Sequence, residues 1–255
     1  MKTVKLYGYA TSPCVRKVGC FLYYKGIEFE HIPVNPIDPM ATLSFTKGAQ
    51  VPVLEIDGEW RRESSELALW LDELFPQKPL CPAEHKDKIM GLDKWISDTF
   101  LTSIFRSAID GEFTLQFRYR AWRLAALVSA HTPLPEHVRN KWPDLLRIAP
   151  FIQDMREHID FSESPQNMQM RIGMELMSHI GDGPFIGGFD KPTMLDLAIF
   201  PQLVWGYMFG LERELSAAKS PVIKAWMARL SQELPTNPTL VHDDMLINPL
   251  APALK

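Results

Sequence analysis

The chain has 255 residues, 46% of them hydrophobic and 23% charged, with a formal net charge of −4 at pH 7. That length and apolar content suffice for one large domain or two modest ones, and a weakly acidic chain without a long basic run argues against a nucleic-acid binder, whose surface has to neutralise phosphates. Lys2 and Lys5 break the apolar pattern at the N-terminus, which points away from an exported protein, and the greasiest stretch, Leu195 to Leu211, carries Asp196, Pro201 and Gln202 and makes a poor membrane span.

Val4 and Leu6 alternate with Lys5 and Tyr7, the period of a half-buried strand. A helix is predicted next, with Ser12 as N-cap, Pro13 at the first helical position, Val15, Val18, Gly19 and Leu22 on one face, and Gly26 just past the end. "IEFEHIPV" reads as a second strand and "NPIDPMATLSFTKGAQ" as an irregular run of turn residues. In "VPVLEIDGEWRRE" two short strands meet at Asp57-Gly58, residues that tolerate the positive φ of a tight hairpin turn. "SSELALWLDELF" sets Leu67, Trp70, Leu71 and Leu74 on one helical stripe, ended by Pro76.

Pro76, Pro79 and Pro82 punctuate a linker, after which the strand signal largely disappears. From Glu84 to about Leu234 the pattern is helical and aromatic-rich, through Trp95, Phe100 and Phe105 and then Phe113, Phe117 and Trp122. The segment from Gly111 to Asp160 is the least regular, with Pro133, Pro135, Pro143 and Pro150. The expected organisation is an α/β domain over 1–78, an all-helical domain over 84–235, and a proline-containing tail over 236–255 that packs along the surface or frays. Cys14, Cys20 and Cys81 form neither a disulfide framework nor a C-x-x-C pair, which fits a reducing cytoplasm. Seven histidines lie scattered without ligand spacing, so no metal site is expected, and no G-x-S-x-G, P-loop or G-x-G-x-x-G motif occurs.

Three stretches carry chemistry. Ser12-Pro13-Cys14-Val15-Arg16 opens the first helix, where free backbone N–H groups and the positive end of the dipole favour an anion such as a thiolate. Taken alone, a serine before proline at the first helical position is an ordinary cap. Gln50-Val51-Pro52 stands just ahead of the hairpin, and taken alone Val-Pro merely starts an edge strand. Glu63-Ser64 opens the next helix, and taken alone Ser64 is a plain N-cap and Glu63 a surface charge near a helix start.

In this order and position the three stretches resemble the cytosolic glutathione transferases, and the resemblance runs over nearly the whole chain. It implies a thioredoxin-like α/β domain followed by an all-α helical bundle. It implies that Ser12 occupies the catalytic slot and that the Val51-Pro52 peptide is cis, with the Val51 backbone pairing with the cysteinyl part of glutathione. Gln50 and Pro52 flank that backbone, and Glu63 and Ser64 would read the charged ends of the γ-glutamyl group. Glutathione is then the co-substrate, a small hydrophobic electrophile enters from the aromatic helices, and the protein is a cytoplasmic homodimer without nucleic-acid or membrane partners. In "GFDKPTMLDLAIF", Thr193-Met194-Leu195-Asp196 matches the family's S/T-x-x-D box, a structural cap.

The departures leave alternatives. Cys14 lies two residues past the catalytic slot, and Val15 stands where a second redox cysteine would be, so two-cysteine chemistry is disfavoured. Cys14 remains a candidate for single-cysteine thiol transfer or for a small packed hydrophobe. Tyr7 and Tyr9 end the first strand, where some classes of the family carry a catalytic tyrosine. A non-catalytic glutathione-binding or protein-interaction module of the same fold is the further alternative.

Overall fold

The computed structural model describes residues 2–109, 134–148, 150–208 and 220–246. The chain enters through β1 (Val4–Gly8), α1 (Pro13–Lys25) and β2 (Glu30–Pro33). The expected start and stop signals of α1 are in place: Ser12 is the N-cap, Pro13 is the first helical residue, and Gly26 at φ 68 turns its N–H back onto the carbonyls of Leu22 and Tyr23. In the segment expected to be irregular lie one helical turn, α2 (Met40–Leu43), and a 3-10 turn over Ser44–Thr46. Pro39, at φ −65, pre-sets helical backbone there, and the Thr46 hydroxyl donates to the Leu43 carbonyl at 2.9 Å.

The hairpin of β3 (Val53–Ile56) and β4 (Glu59–Arg62) turns through Asp57 at φ 52 and Gly58 at φ 89, and α3 (Ser64–Leu74) follows. One sheet results, in the order β2-β1-β3-β4, with β1 and β2 parallel and the other neighbours antiparallel. This is the thioredoxin-like arrangement. Val4, Leu6, Leu54 and Ile56 bury on the face covered by α1 and α3, among Val15, Val18, Phe21, Leu67 and Leu71. Helix α1 lies so close that a Cβ on Gly8 would come within 2.4 Å of a Val15 methyl. The other face buries a smaller cluster of Tyr7, Val34, Leu43 and Val53.

Beyond residue 80 the described chain is helical. Helix α4 (Lys86–Trp95) passes through a π turn at Ile96–Phe100 into α5 (Leu101–Ile109), and α6 (Glu136–Ile148), α7 (Pro150–Met155), α8 (Pro165–Ile180), α9 (Met194–Met208) and α10 (Pro221–Leu230) follow. Phe113, Phe117 and Trp122 lie outside the described residues. Helix α9 is apolar all round and central: Leu195, Leu197, Ile199, Phe200 and Val204 are all buried, which its lack of a polar stripe requires. Among the described residues no helix is long and apolar enough to cross a membrane.

The two expected units share one continuous core, because α9 packs along α1. The proline-rich link between them is pinned. The Asp72 carboxylate accepts from the backbone of Leu80 and Cys81 at 2.9 and 2.8 Å, Lys25 pairs with Asp72 at 2.7 Å, and the Leu80 carbonyl accepts from Met194 N at 2.8 Å. The start of the tail also departs from its expected place on the surface. Thr239 and Val241 are buried, Leu240 packs on Gly19 of α1, and the Cys20 thiol donates to the Pro238 carbonyl at 3.6 Å. A Cβ at position 19 would stand 2.9 Å from Leu240, so glycine opens the slot that the tail fills.

Candidate functional site

Strand register brings the three stretches together. Tyr7 pairs with Val53, so the C-terminal end of β1, leading to Ser12, lies beside the N-terminal end of β3, led by Gln50, Val51 and Pro52. Val53 pairs in turn with Arg62, which sets Glu63 and Ser64 at that same edge. Val51-Pro52 is the cis peptide. The exposed Gln50 side chain donates to the Glu63 carboxylate at 3.0 Å. Ser12, Cys14, Gln50, Val51, Pro52, Glu63 and Ser64 therefore share one end of the sheet.

Ser12 is buried at 8% exposure, and its backbone N–H donates to the Tyr9 carbonyl at 2.9 Å. Its hydroxyl accepts from Val15 N at 3.4 Å, the long end of hydrogen-bond range. Capping uses a lone pair and leaves the hydroxyl proton free to donate elsewhere, so capping and thiolate stabilisation are compatible in one atom.

Glu63 has φ 72 and ψ 97, a backbone conformation that costs energy in any residue with a side chain and persists where the surroundings impose it. It occupies the N-cap position of α3, yet its side chain makes no cap bond, and Ser64 is the first helical residue. The opening amides of α3 are thus available to an anion.

Tyr7 is engaged on the other face of the sheet. Its hydroxyl donates to Glu55 at 2.7 Å, and burial together with that carboxylate pushes its pKa up to about 12, leaving it a neutral phenol at physiological pH. Burial likewise pushes the Tyr9 phenol and the Cys14 thiol up; for Cys14 the neighbouring Lys17, Ser64 and Arg16 pull down without overcoming it. A half-buried thiol held protonated is a poor nucleophile.

Two buried polar groups beneath the site escaped the sequence reading. Lys17 pairs with Asp93 of α4 at 2.8 Å and donates to the Ser65 hydroxyl at 3.0 Å, while Ser65 donates to the other Asp93 oxygen. The start of α3 is thereby tied to α1 and α4. Arg16 reaches the Ala10 carbonyl at 2.8 Å and Gln202 of α9 at 2.6 Å. The available signal was adjacency: Arg16-Lys17 falls in a helix whose neighbours on both sides are apolar, so at least one charge had to be buried. Among the described residues no three His, Cys, Asp or Glu side chains converge as a metal ion would need.

Residues 6–79 match the family description "Glutathione S-transferase, N-terminal domain". Glutathione S-transferase Z2 of Arabidopsis thaliana is 30% identical over 130 residues, 46% of this chain and 51% of that protein. The chain spans about half the length of the curated relatives it matches. The fold extends much further. A glutathione S-transferase from Rhodospirillum rubrum F11 superposes with a TM-score of 0.56 at 18% identity, over 93% of this chain and 90% of that one. Human glutathione transferase theta-2, in complex with glutathione and an unknown ligand, does so with a TM-score of 0.56 at 16% identity, over 91% and 82%. Residues 6–79 are thus similar to a glutathione S-transferase N-terminal domain, and the fold of the chain is shared with solved glutathione S-transferases across both units.

Proposed function

We propose that the protein binds glutathione at the sheet edge formed by Val51, Glu63 and Ser64, activates its thiol at Ser12, and delivers the thiolate to a small hydrophobic electrophile. The observation that carries the reading is the convergence of the α3 N-terminus, a strained Glu63 and the Ser12 helix start at one end of the sheet. Relatives named as glutathione S-transferases, and a solved neighbour in complex with glutathione, support the same ligand. In this arrangement the α3 amides and Ser64 bind the γ-glutamyl carboxylate, Glu63 faces the amino group, and the cis Val51-Pro52 edge presents backbone to the cysteinyl unit. The thiol then lies over the start of α1. An ordinary thiol has a pKa of roughly 8.5, so a lowering of about two units turns a minor thiolate fraction at neutral pH into the major one. What the protein contributes is position and charge.

Glu63→Ala and Ser64→Ala are expected to weaken glutathione binding by about 1.5–3 kcal/mol each, roughly ten- to a hundredfold in affinity, with little loss of fold stability. Calorimetry with the two variants checks this, and affinities equal to wild type for both would remove the site.

The proposal includes the two-domain division, with the helical residues from 84 onward supplying the second-substrate side, and a homodimer working in the cytoplasm. Support for self-association comes from apolar side chains left exposed on the N-terminal unit, Ile37, Met40 and Phe45, at 48%, 40% and 38% exposure. Sedimentation at micromolar concentration is expected to give twice the 29.2 kDa chain mass, and a monomer there contradicts it.

A further inference from the structure

Arg16 is 4% exposed, yet among the described residues the two acceptors its guanidinium reaches are neutral: the Ala10 carbonyl for Nη1 and the Gln202 side-chain oxygen for Nη2. Its Nε, also buried, meets no acceptor among the described residues. The neighbouring buried lysines are different, since Lys17 has Asp93 and Lys25 has Asp72 as ionic partners. A buried cation without an anion is among the costliest arrangements a fold holds. Burial lowers the Arg16 pKa to about 9, which leaves it charged at neutral pH.

Its location gives the charge a use. Ala10 and Pro13 bracket Ser12, and both of their carbonyls are held from below, Ala10 by Arg16 and Pro13 by Gln202 Nε2 at 3.0 Å. Gln202 also donates to Ala198 at 3.1 Å, which fixes it on α9, and Trp205 of the same helix stacks over the guanidinium at 4.6 Å. The turn that carries Ser12 is clamped between α1 and α9, with a positive charge inside the clamp that no carboxylate among the described residues compensates.

We propose that Arg16 is a positioning residue and standing counter-charge for the thiol site, locking the Ser12 turn through Ala10 and favouring the ionised form of a thiol seated there. This rests on the glutathione reading above. Among the described residues, the other titratable groups around the site are Tyr9 just past β1, Cys14, Lys17 and Cys20 on α1, Glu63 before α3, and Asp93 on α4, which is paired with Lys17. Helix α9 brings only the uncharged Gln202 and Trp205. Among the described residues, Arg16 is therefore the cation at this turn that no carboxylate neutralises.

The test is the thiolate absorbance of bound glutathione followed against pH in wild type, Arg16→Gln and Arg16→Lys. Arg16→Gln is expected to raise the bound-thiol pKa by about one unit, roughly tenfold less thiolate below that pKa, with the KM for glutathione nearly unchanged. Arg16→Lys, which keeps the charge, is expected to restore most of the shift. An unchanged pKa in Arg16→Gln overturns the inference, and so does an equal rise in both variants, which would make the residue a structural prop. Should Arg16→Gln not fold, Gln202→Glu asks the same question with Arg16 in place: a carboxylate set against the guanidinium is expected to raise the bound-thiol pKa, and no rise overturns the inference. A wild-type protein that binds glutathione without lowering its thiol pKa removes the activation reading first and this inference with it, a result distinct from a shift that survives loss of Arg16.

Discussion

Replacing Ser12 by alanine is expected to return the thiol of bound glutathione toward its free pKa and to lower kcat/KM by about a hundredfold, the usual scale for losing one donor to a developing anion. The cost to the fold should be no more than the roughly 0.5–2 kcal/mol of a lost N-cap, toward the lower end because the cap bond to Val15 N is long, at 3.4 Å. Two controls sharpen the result. Cys14→Ala removes a thiol that burial keeps protonated, and Tyr7→Phe removes a hydroxyl committed to Glu55 on the far face of the sheet. Neither should move the bound-thiol pKa. If Ser12→Ala conjugates glutathione as fast as wild type, Ser12 is only a cap. If Cys14→Ala alone abolishes activity on glutathione mixed disulfides, the chemistry belongs to the cysteine.

The largest effect on stability is expected at Asp196. The match of Thr193-Met194-Leu195-Asp196 to a capping box predicts reciprocal hydrogen bonds, and Asp196 accepts from Thr193 N at 2.9 Å while the Thr193 hydroxyl accepts from Leu195 N at 3.3 Å. The same fully buried carboxylate also accepts from Ile186 N at 2.9 Å and from the indole of Trp226 in α10 at 2.7 Å. Burial pushes its pKa up to about 6 while these hydrogen bonds pull it down, so the group is ionised at neutral pH. Asp196→Ala orphans three buried donors at once, each worth about 1–3 kcal/mol when left unpaired, and should destabilise by about 3–5 kcal/mol, a fall in Tm on the order of 10 °C for a chain of this size. Denaturant unfolding of Asp196→Ala, with Asp196→Asn as the milder variant, measures this. A loss below about 1 kcal/mol for both would mean that the loop before α9 and α10 are held by packing alone.

The local elements were legible because their causes are local. Ser12-Pro13 and Gly26 set the ends of α1 whatever surrounds them, since a cap, a fixed φ and a positive φ are properties of a few adjacent residues. Asp57-Gly58 likewise dictated a hairpin, and through it the antiparallel neighbour on which the register of the site depends. The order of strands and helices and the helical character of the second unit follow from periodicity and spacing, whereas the reading of the three stretches as one site rests on their resemblance to the glutathione transferases. Tertiary structure decided what depends on distant partners. That Arg16 and Lys17 are both buried, one with Asp93 and one with Gln202, needs α4 and α9 to arrive 76 and 186 residues later. That Tyr7 turns to Glu55 rather than to Ser12 depends on which face of the sheet it occupies, and the docking of Leu240 on Gly19 depends on a slot that exists only once α1 is packed. Adjacent residues determine backbone conformation, whereas burying a charge or filling a gap is settled by whatever chain the fold brings into contact, and a linear reading carries no record of that contact.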